Sequence, residues 1–167
     1  HPGGSRALSP CRGQRGPRPV SALYTPDELG AELRRRLTLC TESLSDTPVV
    51  FRGRRKVDDE MMPCGVVIEG DSMPVERQAL TTRYYLRAEC AWQAYVLCDA
   101  ADPNVAAHAA LREMKRALWS DGPTMAGRVR DLEWLGTDIA PRADGAGFVL
   151  AVLTFAATVI EDVADPK

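Results

Sequence analysis

The chain has 167 residues, of which 45% are hydrophobic and 26% charged, and its formal net charge is −2. This length fits one domain with a real core, since domains commonly span ~100–200 residues. The composition excludes wholesale disorder, a fibrous repeat and a disulfide-dense mini-protein.

The first 22 residues differ in composition from the rest. They contain four Arg, four Gly, four Pro and no acidic residue, so they carry +4 and the remaining chain carries −6. Such a segment cannot bury enough apolar surface to order itself. This predicts a flexible basic arm over 1–22 and a single domain over 23–167. Three interpretations of the arm stay open: an arm that orders on a partner or on nucleic acid, leftover or mis-started sequence, and an inert linker.

Neither a membrane span nor a disulfide framework is predicted. No stretch reaches the ~18 apolar residues that a membrane span needs. The five cysteines form no CxxC pair and are odd in number: Cys11, Cys40, Cys64, Cys90 and Cys98. We therefore expect buried, reduced cysteines in a cytoplasmic protein.

The first predicted element is a helix over about 26–43. Thr25 can cap it, Pro26 suits the first helical position, and Glu28 completes a capping box. Apolar residues then recur at helical spacing on one face, whereas the three arginines of 34–36 point mostly the other way.

Two short strands follow, over 47–52 and 64–69, and a turn at 70–72 is predicted to end the second strand. The segment between the strands, 53–63, is basic at its start and acidic at its end. It is about twice the usual length of a β-hairpin loop. We interpret it either as disordered filler or as a binding element that orders on contact.

The clearest pattern is an alternation over 80–96. One face of this segment is largely apolar, and the other carries Arg83, Arg87 and Glu89 among its polar residues. The alternation predicts a long antiparallel strand, half-buried, whose second face meets water or a polar partner.

A second helix comes next. Asp102 is expected to cap it, Pro103 suits its first position, and a Gly-Pro pair at 122–123 ends it. Its apolar face points to the same core as that of the first helix.

The chain then forms a predicted hairpin. Its first strand covers 128–139 with a bulge near Glu133, its turn contains Asp-Gly at 144–145, and its second strand covers 148–161. That second strand is apolar on both faces, so it should be central or covered on both sides. The order α-β-β-β-α-β-β predicts an α+β fold, a mostly antiparallel sheet with two helices packed on one face.

Side chains for catalysis or metal binding do not converge in the sequence. His108 stands alone in a predicted helix, with no Asp or Cys at ligand spacing. Asp58, Asp59 and Glu60 are consecutive in a loop, where neighbouring carboxylates splay apart. No nucleophile elbow, zinc-protease motif or phosphate-binding loop occurs. We therefore expect no catalytic residue, no metal and no cofactor.

Sequence-specific nucleic-acid recognition is also not expected. The predicted domain is acidic, whereas nucleic-acid binders usually carry a net basic domain with interleaved aromatic residues. We interpret Trp92, Trp119 and Trp134 as core or sheet packing.

What remains is surface for assembly. The candidate interaction residues lie in the 53–63 segment and its border and on the polar face of the long strand: Arg52, Arg54, Arg55, Lys56, Asp58, Asp59, Glu60, Met61, Met62, Arg83, Arg87 and Glu89. The basic residues, facing acids on a neighbouring copy, would suit a symmetric ring or dimer. The two methionines offer adaptable apolar contacts.

The element order resembles the tail terminator family (tail completion, or minor tail U-like proteins) of long-tailed bacteriophages and gene-transfer particles. The segment RDLEWLGTDIAP at 130–141, the acidic-glycine turn and the apolar strand 148–159 are similar to the closing hairpin of that family. The opening helix, the strand after it and the Met-Pro pair at 62–63 also fit. The resemblance covers residues 25–162, and the arm 1–22 has no counterpart in it.

The resemblance implies a structural virion protein that catalyses nothing. Members of the family form a hexameric ring on the head-proximal end of the tail tube, which halts tube polymerisation and offers a surface for head–tail joining. The implied partners are further copies of the chain, the tail tube protein and a connector or neck protein. DNA passes through the lumen without sequence-specific binding, and no membrane is involved. Such a protein is assembled in the host cytoplasm and resides in the virion. The 53–63 segment is then the candidate docking element, and the polar strand face belongs to the subunit interface or the lumen.

Three alternatives stay open. The nearest is a neck protein, a head–tail stopper or adaptor between portal and tail. The others are a small enzyme or ligand-binding α+β protein with a sheet pocket, and a nucleic-acid-associated adaptor that uses the basic arm.

Overall fold

The computed structural model describes residues 22–141 and 147–166. In chain order its elements are α1 (Pro26–Leu37), β1 (Val50–Arg52), a short 3-10 helix (Asp59–Met61), β2 (Cys64–Arg77), β3 (Arg83–Leu97), α2 (Pro103–Leu118), β4 (Asp131–Pro141) and β5 (Phe148–Asp162). The predicted α+β class is confirmed. All but the last residue of the expected arm 1–22, and the Asp-Gly turn at 144–145, lie outside the described residues.

The five strands form one sheet in the order β1-β2-β3-β5-β4. The pairs β2–β3, β3–β5 and β4–β5 are antiparallel, which confirms the mostly antiparallel sheet. β5 lies between β3 and β4, as the apolar character of both its faces predicted.

The interpretation of 53–63 as a hairpin loop is wrong, because β1 pairs with β2 in parallel. A parallel pair needs a crossover, so the chain must return to the starting level of β1 before β2 can begin. This return explains the length of the segment, which we call the crossover loop (residues 53–63).

Both helices pack on one face of the sheet, which we call the helix face. Alternate residues of β3 and β5 point into this core, and Trp92 is its centre: the indole is fully buried and meets the Phe155 ring edge-on at a centroid distance of 5.8 Å. The alternation predicted for β3 is therefore confirmed, although the strand begins at Arg83 and not at residue 80.

Helix α1 begins with the predicted capping box. The Thr25 hydroxyl accepts a hydrogen bond from the Glu28 backbone N–H, and the Glu28 carboxylate accepts one from the Thr25 N–H. The helix ends at Leu37 and not near 43; turns carry the chain onward with Cys40 and Leu44 still buried.

Arg36 is buried, contrary to the expected outward direction of the three arginines. Only 3% of it is exposed. Its guanidinium donates to Glu32, to the Leu118 carbonyl and to Asp121 at 2.8, 3.1 and 2.6 Å. A cation at the end of α2 satisfies a terminal carbonyl and complements the helix dipole. Arg36 thus joins α1 to the C-terminal end of α2.

Two strand predictions need correction. β2 continues through the turn expected at 70–72, where one extra residue makes a bulge against β3. β4 begins at Asp131 and not at 128, and its extra residue is Leu135, two positions beyond the expected bulge. A smaller correction concerns α2: Asp102 occupies the N-cap position, but its side chain makes no capping hydrogen bond.

Candidate functional site

The face of the sheet opposite the helices, here called the outer face, holds most of the predicted interaction residues. Strand register divides it into two regions. Near the start of β2 the row reads Cys64, Tyr95, Leu150 and Ala140 across the four longer strands. Toward the other end of β3 the outer face becomes charged.

The crossover loop packs on the apolar region of the outer face. Cys64 and Val66 point away from the helices, outside the main core, yet both are fully buried. Val57 and Met62 of the loop line a shallow groove together with Tyr95 and Leu150. The loop therefore covers a second, smaller apolar cluster.

The two ends of the crossover loop are tied together through Arg54. Its guanidinium lies 4.3 Å from the centre of the Phe51 ring, and its Nη1 donates to the Met61 sulfur at 2.8 Å. A cation over an aromatic face stabilises by ~0.5–1 kcal/mol at an exposed site. Arg54 and Met61 thus act within the loop.

The charges of the crossover loop stay at its surface. Arg55 and Lys56 are exposed, and the Lys56 ammonium lies 3.8 Å from the Asp58 carboxylate. Asp59 and Glu60 open the 3-10 helix and are exposed as well. These residues present both charge signs on one loop.

Burial under the loop suppresses the reactivity of Cys64. Desolvation raises the pKa of this thiol to about 11, and the nearby Arg54 charge opposes that rise only in part. Because the thiolate is the reactive form, this rise in pKa lowers the reactivity of Cys64 at neutral pH.

The charged region of the outer face is held by ion pairs that span three strands. Arg87 of β3 donates to Glu89 on its own strand and to Glu133 of β4, each at 2.9 Å. Ala156 of β5 lies between the two glutamates in register and is buried. The predicted polar face is confirmed as a surface of cross-strand ion pairs.

Arg83 ends this charged region beside the C-terminal end of β5. Its Nε lies 3.6 Å from Asp162. The Thr82 hydroxyl, followed by a backbone N–H and by Arg83, lowers the pKa of the Asp162 carboxyl. The carboxylate is thus held ionised at the strand end.

Arg52 does not belong to either region. Its guanidinium donates to Glu69 at 2.7 and 2.8 Å and to Asp27 at 2.9 Å, on the helix side of β1. A methyl group built on Gly30 would lie 2.3 Å from this guanidinium, so the glycine makes room for it. Arg52 links α1, β1 and β2.

The sequence reasoning missed the surface around Trp134. This side chain is 57% exposed on the edge strand β4, contrary to its interpretation as packing, whereas Trp92 is in the core. The Lys115 ammonium lies 4.4 Å from its ring centre, and Trp119 lines the same groove. Trp134 is in register with Phe155 and faces the helix side, so its exposure follows from its place on the edge strand, for which the sequence carries no clear signal.

The described residues contain no cluster of His, Cys, Asp and Glu that could hold a metal ion. His108 is exposed on α2. In the ranges 22–141 and 147–166, no helix is long and apolar enough to cross a membrane. Cys40, Cys64 and Cys90 are buried free thiols, as expected, and Cys98 is half-buried.

The chain is similar to a chain in the virion of a native gene transfer agent particle, with 17% identity and a TM-score of 0.47, over 79% of this chain and 94% of the other. No family model matches the sequence. No curated protein matches it either.

Proposed function

We propose that the chain is a structural virion protein that forms a ring on the head-proximal end of a phage-type tail tube. The observation that carries the proposal is the difference between the two sides of the sheet. The helices cover one face with the main core. The other face carries the charged crossover loop, and the sheet ends at the unpaired strand edge of β4. Exposed, unpaired sheet edges and ordered polar loops are features by which subunits contact one another.

The sequence resemblance to tail terminators supports the same proposal. The closing hairpin that carries it corresponds to β4 and β5, and the opening helix and strand correspond to α1 and β1. In this proposal the ring stops tube polymerisation by geometry: one face matches the last tube ring, and the other accepts no further tube subunit.

The roles of the candidate residues follow from their positions. Arg55, Lys56, Asp58, Asp59 and Glu60 stand on the crossover loop and dock to the tube or to a neighbouring copy. Arg83, Arg87 and Glu89 face the lumen or the subunit interface from the charged region. DNA passes without sequence-specific contact, and the protein performs no catalysis.

Tube assembly in the presence of the chain tests this function. Tail tube protein is polymerised with and without the purified chain, and tube lengths are measured by electron microscopy. We expect shorter, uniformly capped tubes and a ring-sized species by light scattering. The double variant Arg55→Glu/Lys56→Glu is expected to lose capping, whereas Arg112→Glu, an exposed charge on α2, is expected to keep it.

Two outcomes decide against the proposal. A chain that stays monomeric and neither binds tube ends nor limits tube length is not a terminator. A chain that binds the portal complex and leaves tube length unchanged is a head–tail stopper or adaptor instead.

A further inference from the structure

The β4 edge is the long free edge of the described sheet. All 11 residues from Asp131 to Pro141 belong to β4, whose only strand partner among the described elements is β5. Trp134 and Leu135 are exposed on it by 57% and 38%. An open strand with exposed apolar side chains is a template for contact with another chain.

The β4 edge is also acidic. Asp131, Glu133 and Asp138 share the outer face of the strand, and β4 contains no basic residue. Glu133 forms an ion pair with Arg87, whereas Asp131 and Asp138 are exposed and have no ion-pair partner among the described residues. Lys115 contacts Trp134 from the helix side, so it does not neutralise these carboxylates.

At the opposite edge of the sheet, the crossover loop begins with a basic segment and carries its acidic residues further along. There β1 has only three residues, and Gly-Arg-Arg-Lys at 53–56 follows it directly. Arg54 is engaged with Phe51 and Met61. Arg55 and Lys56 are exposed, and Lys56 lies 3.8 Å from Asp58 at the rim of the groove on the outer face. Val49, just before β1, is an exposed apolar residue on this edge.

We propose that the β4 edge of one copy contacts the basic segment 53–56 of the next copy. The inference rests on the proposed ring and names the surfaces that close it. Because β1 and β4 are opposite edges of one sheet and the basic segment starts directly after β1, the contact is head-to-tail and repeats around a closed ring. Charge complementarity sets the order of neighbours.

Two competing pairings fit less well. Two β4 edges placed against each other would set Asp131 and Asp138 against like charges. The free part of β2, which β1 does not cover, contains Pro74 and two register shifts, whereas β4 contains one, so β2 offers the more interrupted edge.

Charge reversal on each surface tests the contact. The first variant is Asp131→Lys/Asp138→Lys, the second is Arg55→Glu/Lys56→Glu, and the third carries all four changes. Arg112→Glu serves as the control. Circular dichroism establishes that each variant is folded, and native mass spectrometry with light scattering reports self-association, with tube protein added in a parallel series.

The expected pattern distinguishes this contact from others. Each double variant alone should associate at least about tenfold more weakly than the native chain. A mixture of the two double variants should recover the ring with alternating subunits, and the fourfold variant should recover it alone. Arg112→Glu should associate like the native chain.

Three results would overturn the inference. If the loop double variant assembles normally while the β4 double variant does not, β4 pairs with itself or with another surface. If neither double variant weakens a ring that the native chain does form, the ring stands and this contact is wrong. If the native chain forms no ring even with tube protein, the proposed function fails first, and this contact fails with it.

Discussion

Alkylation of Cys64 reports directly on the crossover loop. The thiol lies under the loop, on the outer face, and is fully buried. Burial raises its pKa from 9.0 to about 11. At pH 8 a much smaller fraction of this thiol is therefore ionised than of an exposed cysteine.

The perturbation is Arg54→Ala, which removes the cation over Phe51 and the hydrogen bond to the Met61 sulfur. The loss of the cation–π contact alone amounts to ~0.5–1 kcal/mol. If Cys64 reacts through local opening of the loop, that loss increases its alkylation rate about two- to fivefold.

The assay is iodoacetamide labelling at pH 8, followed by mass spectrometry of the cysteine peptides. Cys90 is the internal reference, because it lies in the main core and its pKa is raised to about 12 by burial. Arg55→Ala is the matched control on the same loop, since Arg55 is exposed.

Two results would refute this reasoning. An equal acceleration in Arg55→Ala would mean that Arg54 does not fasten the loop. A Cys64 rate that rises in step with that of Cys90 would mean that the thiol is exposed by global unfolding and that the loop does not open as a unit.

Three further predictions concern the scaffold beneath these surfaces. Arg36→Met should lower the free energy of unfolding by about 2–4 kcal/mol, because it leaves Glu32 and Asp121 without their buried cation. Arg35→Ala breaks an exposed ion pair and should lower it by less than about 1 kcal/mol. Urea titration of both variants measures the difference. Hydrogen bonding from Arg35, and then from Arg36, lowers the pKa of Glu32. Its contribution to the free energy of unfolding is therefore complete above the ordinary pKa of 4.5 and is lost as the pH falls through the lower pKa of the folded state. Glu32→Gln should make stability fall less steeply at acid pH, and an unchanged pH dependence would contradict this origin. Gly65→Ala should cost about 1–3 kcal/mol by thermal denaturation, because the added methyl would lie 2.9 Å from a buried Leu37 methyl, and an unchanged melting temperature would mean that Leu37 repacks freely.

The periodic elements of this fold could be predicted because each carries a long repeated pattern. β3 alternates over its whole length, α2 repeats its apolar face between Pro103 and Leu118, and β5 is apolar on both faces. In each of these elements, the residues that the pattern predicts to be apolar and buried are the ones that pack in the core.

The direction and extent of the short strands could not be predicted in the same way. β1 has three residues, too few to encode whether it runs parallel or antiparallel to β2. The Gly-Asp-Ser at 70–72 has the composition of a turn, but pairing with β3 keeps it extended with a bulge. In both cases contacts with a distant strand decide the local conformation.

The sequence predicts which residue types form the candidate site, but it does not predict which side chains from distant strands pair with them. The charged face of β3 follows from alternation, but its partners Glu133 and Asp162 come from β4 and β5, far along the chain. Arg52 follows the same charge pattern as Arg54, yet the fold places it on the opposite side of β1.

The central place of β5 also governs when the outer face can exist. β3 pairs with β5 along its whole length, although about 50 residues separate the two strands in sequence. Closing so long a loop is slow, and β3 keeps an unpaired apolar edge until it is done. The charge bridge from Arg87 on β3 to Glu133 on β4 requires β5 in place between these two strands. A chain in which β5 has not docked therefore lacks this bridge, and under the proposed function completion of the sheet would precede assembly.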